Sequence, residues 1–339
     1  MYNFLMKKYI CKNINKITAA LLSLAMLVSL TSCSLYNPNA VYKKSGFYMD
    51  TIITITLYGN VTDPEDKLNG CMDLISMYEG YFSNTIEDSD IWRINSNPFE
   101  YIEVHDETIE LLNEAIYYCG LSNGVFDISI GKLSDLWNIS GGNTDVPDSD
   151  EINALKDEVD YKNIIISGNT VCLNSDKCKI DLGGIAKGYI TDKIKEYLLE
   201  NDVNSALINL GGNITAIGPE NKIGYNVGIQ KPFANDGTVI TDIMLKDKTI
   251  VSSGCYQRYF EKDGRIYHHI LDPRTGYPAE SDILSVSIIC DSSVRADALS
   301  TISFIMGYED ASSYIESTDD CEAIFILSDY SIQKTSGLN

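Results

Sequence analysis

The feature that most restricts this chain is how often its second half turns back on itself. Extended, largely β-branched segments at 205–210, 213–217, 225–229, 239–245 and 249–252 follow one another over short connections. An Asp263-Gly264 step, a strong signal for a two-residue hairpin, separates two more extended runs. A strand at 285–290 precedes a helix at 294–306, and a glycine-rich turn leads into a helix at about 186–199. In the first half a strand is expected at 50–58 and helices at 68–82, 107–119 and 149–159. A hairpin at 164–173 turns at Ser167-Gly168-Asn169. Tight hairpins join antiparallel neighbours, whereas parallel ones need long crossovers. Hairpins dominate over β-α-β crossovers here, so the expected fold is α+β, with mixed or mainly antiparallel sheets and packed helices.

The N-terminus is read apart from the fold. Lys7, Lys8, Lys12 and Lys16 precede an apolar stretch at 17–30, and Leu30-Thr31-Ser32-Cys33 follows. That order is a secretory signal, and its end resembles a lipobox, in which the cysteine is lipidated and begins the mature chain. The other reading is a transmembrane anchor, but about 14 apolar residues fall short of the roughly 20 that span a bilayer. Residues 1–32 are thus expected as a lipoprotein signal peptide, 33–45 as a tether and 46–335 as a single domain. Lipid on Cys33 would hold that domain at the extracytoplasmic face of the cell membrane. The acidic stretch at 141–151 reads as an insertion rather than a domain boundary.

Net charge is −22, and about −26 once the four signal lysines are gone. Such a surface repels nucleic acid and anionic lipid, so no nucleic-acid partner is expected. Any phosphate-bearing ligand must be met by local donors or a metal; most of the charge needs no more than a solubilising role. Seven of the nine cysteines remain after cleavage and lipidation, scattered from Cys71 to Cys321, with no CxxC and no histidine at ligand spacing. A zinc site is not indicated. Cys172 and Cys178 could meet across a short hairpin, but an odd total leaves at least one thiol unpaired.

Four clusters could carry chemistry. Asp297 and Thr301 sit four apart on the expected helix, one above the other, and offer two hard oxygen donors suited to Mg²⁺. A capping carboxylate and an ordinary helix threonine would look the same. Asp181 through Gly188 places Gly183-Gly184 at a helix start, where N–H groups can cradle a phosphate and Lys187 can add charge. It matches neither a P-loop nor a dinucleotide fingerprint, and a tight strand-to-helix turn is the plainer reading. Two of the three histidines, His268 and His269, precede Asp272-Pro273-Arg274-Thr275-Gly276, a turn in its own right. Neighbours in a strand face opposite ways, so one histidine can serve a site as proton acceptor beside a carboxylate and the other should lie outside. A purely structural hairpin competes. Gly124 to Trp137 sets aromatic residues among polar ones, as an aromatic-ligand loop or a core edge would.

The order of the motifs says more than any one of them. Met49-Asp50-Thr51, Asp90-Ile91-Trp92-Arg93-Ile94-Asn95, and Asn123 to Asp127 with Gly131 and Leu136-Trp137 come first. Asp181 to Gly188, Asn209-Leu210-Gly211-Gly212-Asn213, His269 to Gly276, and Ala296-Asp297-Ala298 with Thr301 follow. Together they resemble the ApbE family of FAD:protein FMN transferases over roughly residues 46–330, with Tyr267 to Gly276 as the most specific signature. The resemblance implies an ApbE-like, T-fold-related architecture. It also implies a Mg²⁺-dependent transfer of FMN from FAD to a threonine or serine hydroxyl of a target protein, with release of AMP. Asp297, Thr301 and the Gly184 carbonyl would hold Mg²⁺. Met49, Val125, Phe126, Asp127, Asp181, Lys187 and Leu271 match FAD-contacting positions, and Thr85 stands where many members carry an aromatic residue. His269 would be the base, with Asp272 holding the turn, and His268 would be dispensable. The implied partners are FAD and an acceptor flavoprotein of the cell envelope, a redox-pump subunit or an extracytoplasmic reductase. An FAD pyrophosphatase and a non-catalytic flavin-binding lipoprotein are the rival readings.

Overall fold

The computed structural model describes residues 37–218, 223–235 and 237–338. The expected signal and Cys33 lie outside the described residues. Two compact units are distinguished. In the smaller, described at residues 37–41 and 58–62, the Gly59 N–H donates to the Ala40 carbonyl at 2.9 Å. The larger, residues 42–57 and 63–339, carries every candidate site residue from Met49 onward.

Strands β1 (Val41–Tyr48) and β2 (Thr51–Tyr58) are joined through Met49 and Asp50, at φ 49° and 55°. Two successive positive φ values are what a type I′ hairpin turn requires. Then come α1 (Pro64–Phe82), α2 (Asp90–Ser96), β3 (Ile102–Glu103), α3 (Asp106–Leu121), α4 (Gly131–Trp137) and α5 (Ser149–Lys156). A hairpin of β4 (Ile164–Ser167) and β5 (Thr170–Leu173) precedes α6 (Ala186–Glu200). The antiparallel run follows as β6 (Ala206–Leu210), β7 (Asn213–Ile217), β8 (Tyr225–Gln230), β9 (Val239–Leu245) and β10 (Thr249–Gly254). It continues through β11 (Tyr259–Lys262), β12 (Arg265–His268) and β13 (Ile283–Cys290). Helices α7 (Ser293–Met306) and α8 (Tyr308–Glu316) and strands β14 (Glu322–Leu327) and β15 (Ile332–Lys334) complete the chain.

The main sheet has eight strands in the order β1-β2-β6-β7-β10-β13-β14-β15, and from β2 to β15 each pair is antiparallel. Helices α6 and α7 pack together over one face, with α1 against α6. The β8–β9 ribbon closes the other, bringing Val227, Ile229 and Leu245 onto Ala216, Ile250, Ile289, Ile324 and Ile326. Val251 and Ile288, the next positions along β10 and β13, are buried as well, as period-two strands covered on both faces must be. A second, smaller core forms where Leu133, Trp137, Ile152, Phe260 and Leu271 meet, between α4, α5 and the β11–β12 hairpin. Trp137 Nε1 donates to the Gly276 carbonyl at 2.8 Å and ties that core to the turn after β12.

The architecture is α+β, as expected from the hairpins. Two expectations change. The tether was expected to run to residue 45, but β1 starts at Val41; half its residues are exposed in alternation, as befits a sheet edge. Cys172 faces Ile165 across its hairpin, not Cys178, and all seven described cysteines are free and buried. The acidic stretch at 141–151 runs into α5, whose Ile152 is fully buried in the second core. Among the described residues no helix is long and apolar enough to cross a membrane.

Candidate active site

The site starts where α6 and α7 begin, because these two helix starts nearly touch. A Cβ on Gly188 would come within 2.4 Å of the Ser293 carbonyl oxygen, so only glycine allows this approach. Asp192 of α6 seals the contact: it accepts from the N–H groups of Ser293 at 2.8 Å and Val294 at 3.0 Å and from the Ser292 hydroxyl at 2.9 Å. It thereby caps orphan donors of α7.

The close approach lets the Gly188 N–H reach Asp297 Oδ2 at 2.8 Å. In an unbroken helix that N–H would bond the Gly184 carbonyl. With it diverted, the Gly184 carbonyl has no hydrogen-bond partner among the described residues. Thr301 is the nearest hydroxyl: a Cβ on Gly184 would sit 3.3 Å from Thr301 Oγ1 and 3.0 Å from the Phe126 ring. Burial pushes the Asp297 carboxyl up, while the Lys187 charge and the Gly188 N–H favour its ionised form. Asn213, after the Gly211-Gly212 turn, lies close to this carboxylate, and its buried Nδ2 has no hydrogen-bond partner among the described residues. No three His, Cys, Asp or Glu side chains converge among the described residues. A cation here would be held by one carboxylate and two uncharged oxygens, a hard-oxygen set with room for water and phosphate.

His269 is tied to the same place electrostatically. Its pKa is pushed down to about 3, first by burial and then by the positive charges of its surroundings, Arg258 and Lys187 among them. Its Nδ1 lies 3.3 Å from the Arg258 carbonyl oxygen, which can only accept, so Nδ1 carries the proton. Nε2 then keeps its lone pair, which is the state a general base needs. The Arg258 guanidinium reaches Ser140 Oγ at 3.2 Å and the Asp50 carbonyl at 3.4 Å, joining the β1–β2 turn to the histidine's carbonyl partner.

His268 corrects an expectation. It does not lie outside: it is 6 % exposed, donates from Nε2 to the Ala279 carbonyl at 3.1 Å and meets Phe304 edge-on. It is the last residue of β12, where the chain turns in under Ala279 and Phe304, so its place in the strand does not put it at the surface. Asp272 holds its turn as expected. Its carboxylate accepts from the Arg274 N–H at 2.9 Å and from the Arg274 guanidinium at 2.9 and 2.8 Å, and no hydrogen bond links it to His269.

The remaining expected ligand contacts divide. Phe126 and Lys187 join the group, Lys187 with Nζ 3.1 Å from the Gly183 carbonyl. Asp181 closes the glycine turn by accepting from the Gly183 N–H at 2.9 Å. Val125 is buried beside Phe126, and Met49 is held in its turn by Glu79, 2.6 Å from its N–H. Asp127 is committed elsewhere: one oxygen accepts from Ser129 N and Oγ at 2.8 and 2.7 Å, the other from Tyr161 N at 3.0 Å. Its carboxylate holds the loop. The Leu271 side chain belongs to the second core. Thr85 is exposed and bonds only Ser83, two residues away, so the structure does not bring it to the others.

Arg258, Asn213 and Asp192 had no assigned role in the sequence. The Asp90-to-Asn95 motif also proves to be scaffolding. Asn95 brackets Ile180, donating to its carbonyl at 2.9 Å and accepting from its N–H at 2.7 Å, just before the glycine turn. Asp90 accepts from His105 N at 2.9 Å and Thr108 Oγ1 at 2.6 Å, binding α2 to α3. Polar side chains that bond backbone far along the chain leave no local periodicity to read. Among the described residues, a cavity of about 500 Å³ beside His268 and one of about 320 Å³ beside Arg295 are not lined by Gly184, Asp297 or Thr301.

Comparison with known proteins places the chain in a family. The chain is 33% identical over 291 residues to an FAD:protein FMN transferase of Klebsiella pneumoniae, covering 85% of this chain and 90% of that protein. It is 31% identical over 316 residues to one of Treponema pallidum, covering 88% and 87%. The crystal structure of an ApbE protein from Thermotoga maritima superposes with a TM-score of 0.81 at 33% identity, over 88% of this chain and 98% of that one. The flavin transferase ApbE from Vibrio cholerae gives 0.78 at 27% identity, over 88% and 98%. The ApbE family model matches residues 49–325, and the chain belongs to the ApbE family.

Proposed function

We propose that this protein is an FAD:protein FMN transferase that moves the FMN half of FAD to a threonine or serine hydroxyl of an acceptor protein, with Mg²⁺ bound by Gly184, Asp297 and Thr301. The observation that carries the reading is the diverted Gly188 N–H, which goes to Asp297 and leaves the Gly184 carbonyl, next to Thr301, without a partner among the described residues. A carboxylate with one oxygen already accepting from the Gly188 N–H, beside two uncharged oxygens that take no protein donor among the described residues, fits a hard cation. When bound, Mg²⁺ would neutralise charge on the pyrophosphate of FAD.

The chain's own groups do the rest. Lys187, on the first turn of α6, meets the phosphates together with that helix's N-terminal dipole. His269 Nε2 accepts the hydroxyl proton as the acceptor oxygen attacks the phosphorus of the FMN half. The bond between that phosphorus and the bridging oxygen breaks, and AMP leaves with the oxygen. Burial is the main cause of the low His269 pKa, and a negative pyrophosphate beside Arg258 and Lys187 would oppose their smaller contributions and raise it. Phe126 offers an aromatic wall next to Gly184, and any FAD contact at Leu271 falls to its backbone, since its side chain is spent in the core.

Cys33 is the proposed lipid anchor, placing the domain on the extracytoplasmic face, where a redox-pump subunit or an extracytoplasmic reductase would be the acceptor. The test is to incubate the protein with FAD, Mg²⁺ and such an acceptor and to read flavin fluorescence in a denaturing gel. A fluorescent acceptor band with equimolar AMP is expected. Free FMN and AMP with no labelled protein would replace this reading with FAD hydrolysis, since water could take the hydroxyl's place at the same base.

A further inference from the structure

The β13–β14 pairing sets Ile288 opposite Ala323 and Ile289 opposite Glu322. One step further along the same register, Cys290 at the end of β13 stands opposite Cys321, the residue just before β14. Both thiols are buried, Cys290 fully and Cys321 at 4 % exposure. Directly opposed residues of an antiparallel pair have their Cα atoms about 4.5–5.5 Å apart, inside the range a disulfide bridges. No other two of the seven described cysteines share such a register: Cys172 faces Ile165.

We propose that Cys290 and Cys321 form a cross-strand redox pair, oxidised to a disulfide that closes the segment carrying α7 and α8. That segment holds Asp297 and Thr301, so the bond would brace the helix with the candidate cation ligands from below its N-terminus. The two thiols are unequal. The Cys321 thiol is pushed down, chiefly by Cys290 beside it, with the positive charges of Arg295 and Lys248 adding to it, while the Cys290 thiol donates to the Ser292 carbonyl at 3.0 Å. Cys290 is correspondingly pushed up by Cys321 and by burial. Lys248 is fixed next to the pair by its bridge to Asp291, 2.7 Å long. Cys321 is therefore the attacking thiolate.

The oxidant is a disulfide, on an exchange protein or a small molecule. The Cys321 thiolate attacks one of its sulfurs, forming a mixed disulfide and releasing one thiolate. Cys290, losing its proton, then attacks the Cys321 sulfur and releases the second thiol. The two electrons pass to the oxidant, and the pair ends as one S–S bond. The extracytoplasmic location proposed above is where such a bond persists, but the test does not depend on it.

Trypsin separates the two cysteines into residues 275–295 and 296–334. After treatment of the folded protein with oxidised glutathione, a non-reducing digest should yield these peptides linked, two hydrogens lighter than their sum, and reductant should part them. The thermal midpoint should fall on the order of 5–10 °C when reductant is added to the wild type. It should not respond in Cys321→Ser, while Cys172→Ser should behave as the wild type. Recovery of both peptides unlinked after the oxidant, or of Cys321 joined to any other cysteine, would overturn the assignment.

Discussion

At the residue scale the two adjacent histidines do different work because burial and partners differ, not because one is hidden and the other free. His269 gives Nδ1–H to the Arg258 carbonyl and keeps Nε2 available. His269→Gln keeps a polar side chain of similar reach but cannot take a proton at neutral pH. Flavin transfer should fall by about 100-fold or more, with FAD binding retained; equal loss of FAD affinity in equilibrium titration would point to a binding role instead. His268 governs stability. Its pKa is pushed down to about 4 by burial, opposed only by the Ala279 carbonyl. The unfolded chain takes up that proton near pH 6.5, the folded one only near 4, so the unfolded state binds more protons between them. Stability from this group is full above pH 6.5 and drains as pH falls toward 4, by on the order of 3 kcal/mol. Melting curves at pH 7 and 4.5 should show a smaller difference for His268→Gln than for the wild type.

At the scale of elements, the site is made by two helix starts held closer than side chains would permit. Gly188→Ala places a methyl 2.4 Å from the Ser293 carbonyl oxygen and must push α7 away. A loss of about 1–3 kcal/mol in denaturant unfolding is expected, together with a raised Mg²⁺ requirement, because the Gly188 N–H no longer reaches Asp297. Unchanged unfolding would mean that the helices shift without cost. This contact also shows what the sequence could and could not disclose. The strands were legible because β-branched alternation and glycine turns are local, and β7 was read to the residue at 213–217. Asp297 and Thr301 were legible as a pair because four residues make one helical turn. Their meeting with Gly184 was not, since it depends on Gly188 N–H crossing to another helix. The bond from Tyr161 N to Asp127 was hidden for the same reason, since it spans 34 residues. Strands β1 and β14 and the short α2 went unread, the last because seven residues and a Ser89 cap give too little periodicity.

At the scale of the whole molecule, a chain of net charge −22 must draw in an anionic dinucleotide. The long-range field opposes FAD, and Lys187, Arg258 and a bound cation would oppose that field locally. Raising ionic strength from about 0.02 to 0.15 M shortens the Debye length toward 8 Å, so the association rate of FAD without Mg²⁺ should rise; a fall would show that local cations already dominate at a distance. The central claim is that Gly184, Asp297 and Thr301 form one cation site feeding the transfer. Its most direct measurement is the rate of acceptor flavinylation as Mg²⁺ is titrated, in wild type, Thr301→Val and Asp297→Asn. Both substitutions keep side-chain shape and remove only the donor oxygen or its charge. The account requires at least about a tenfold higher half-saturating Mg²⁺ for Thr301→Val and no measurable transfer by Asp297→Asn, in proteins that melt as the wild type does. Wild-type Mg²⁺ dependence in both variants would contradict it.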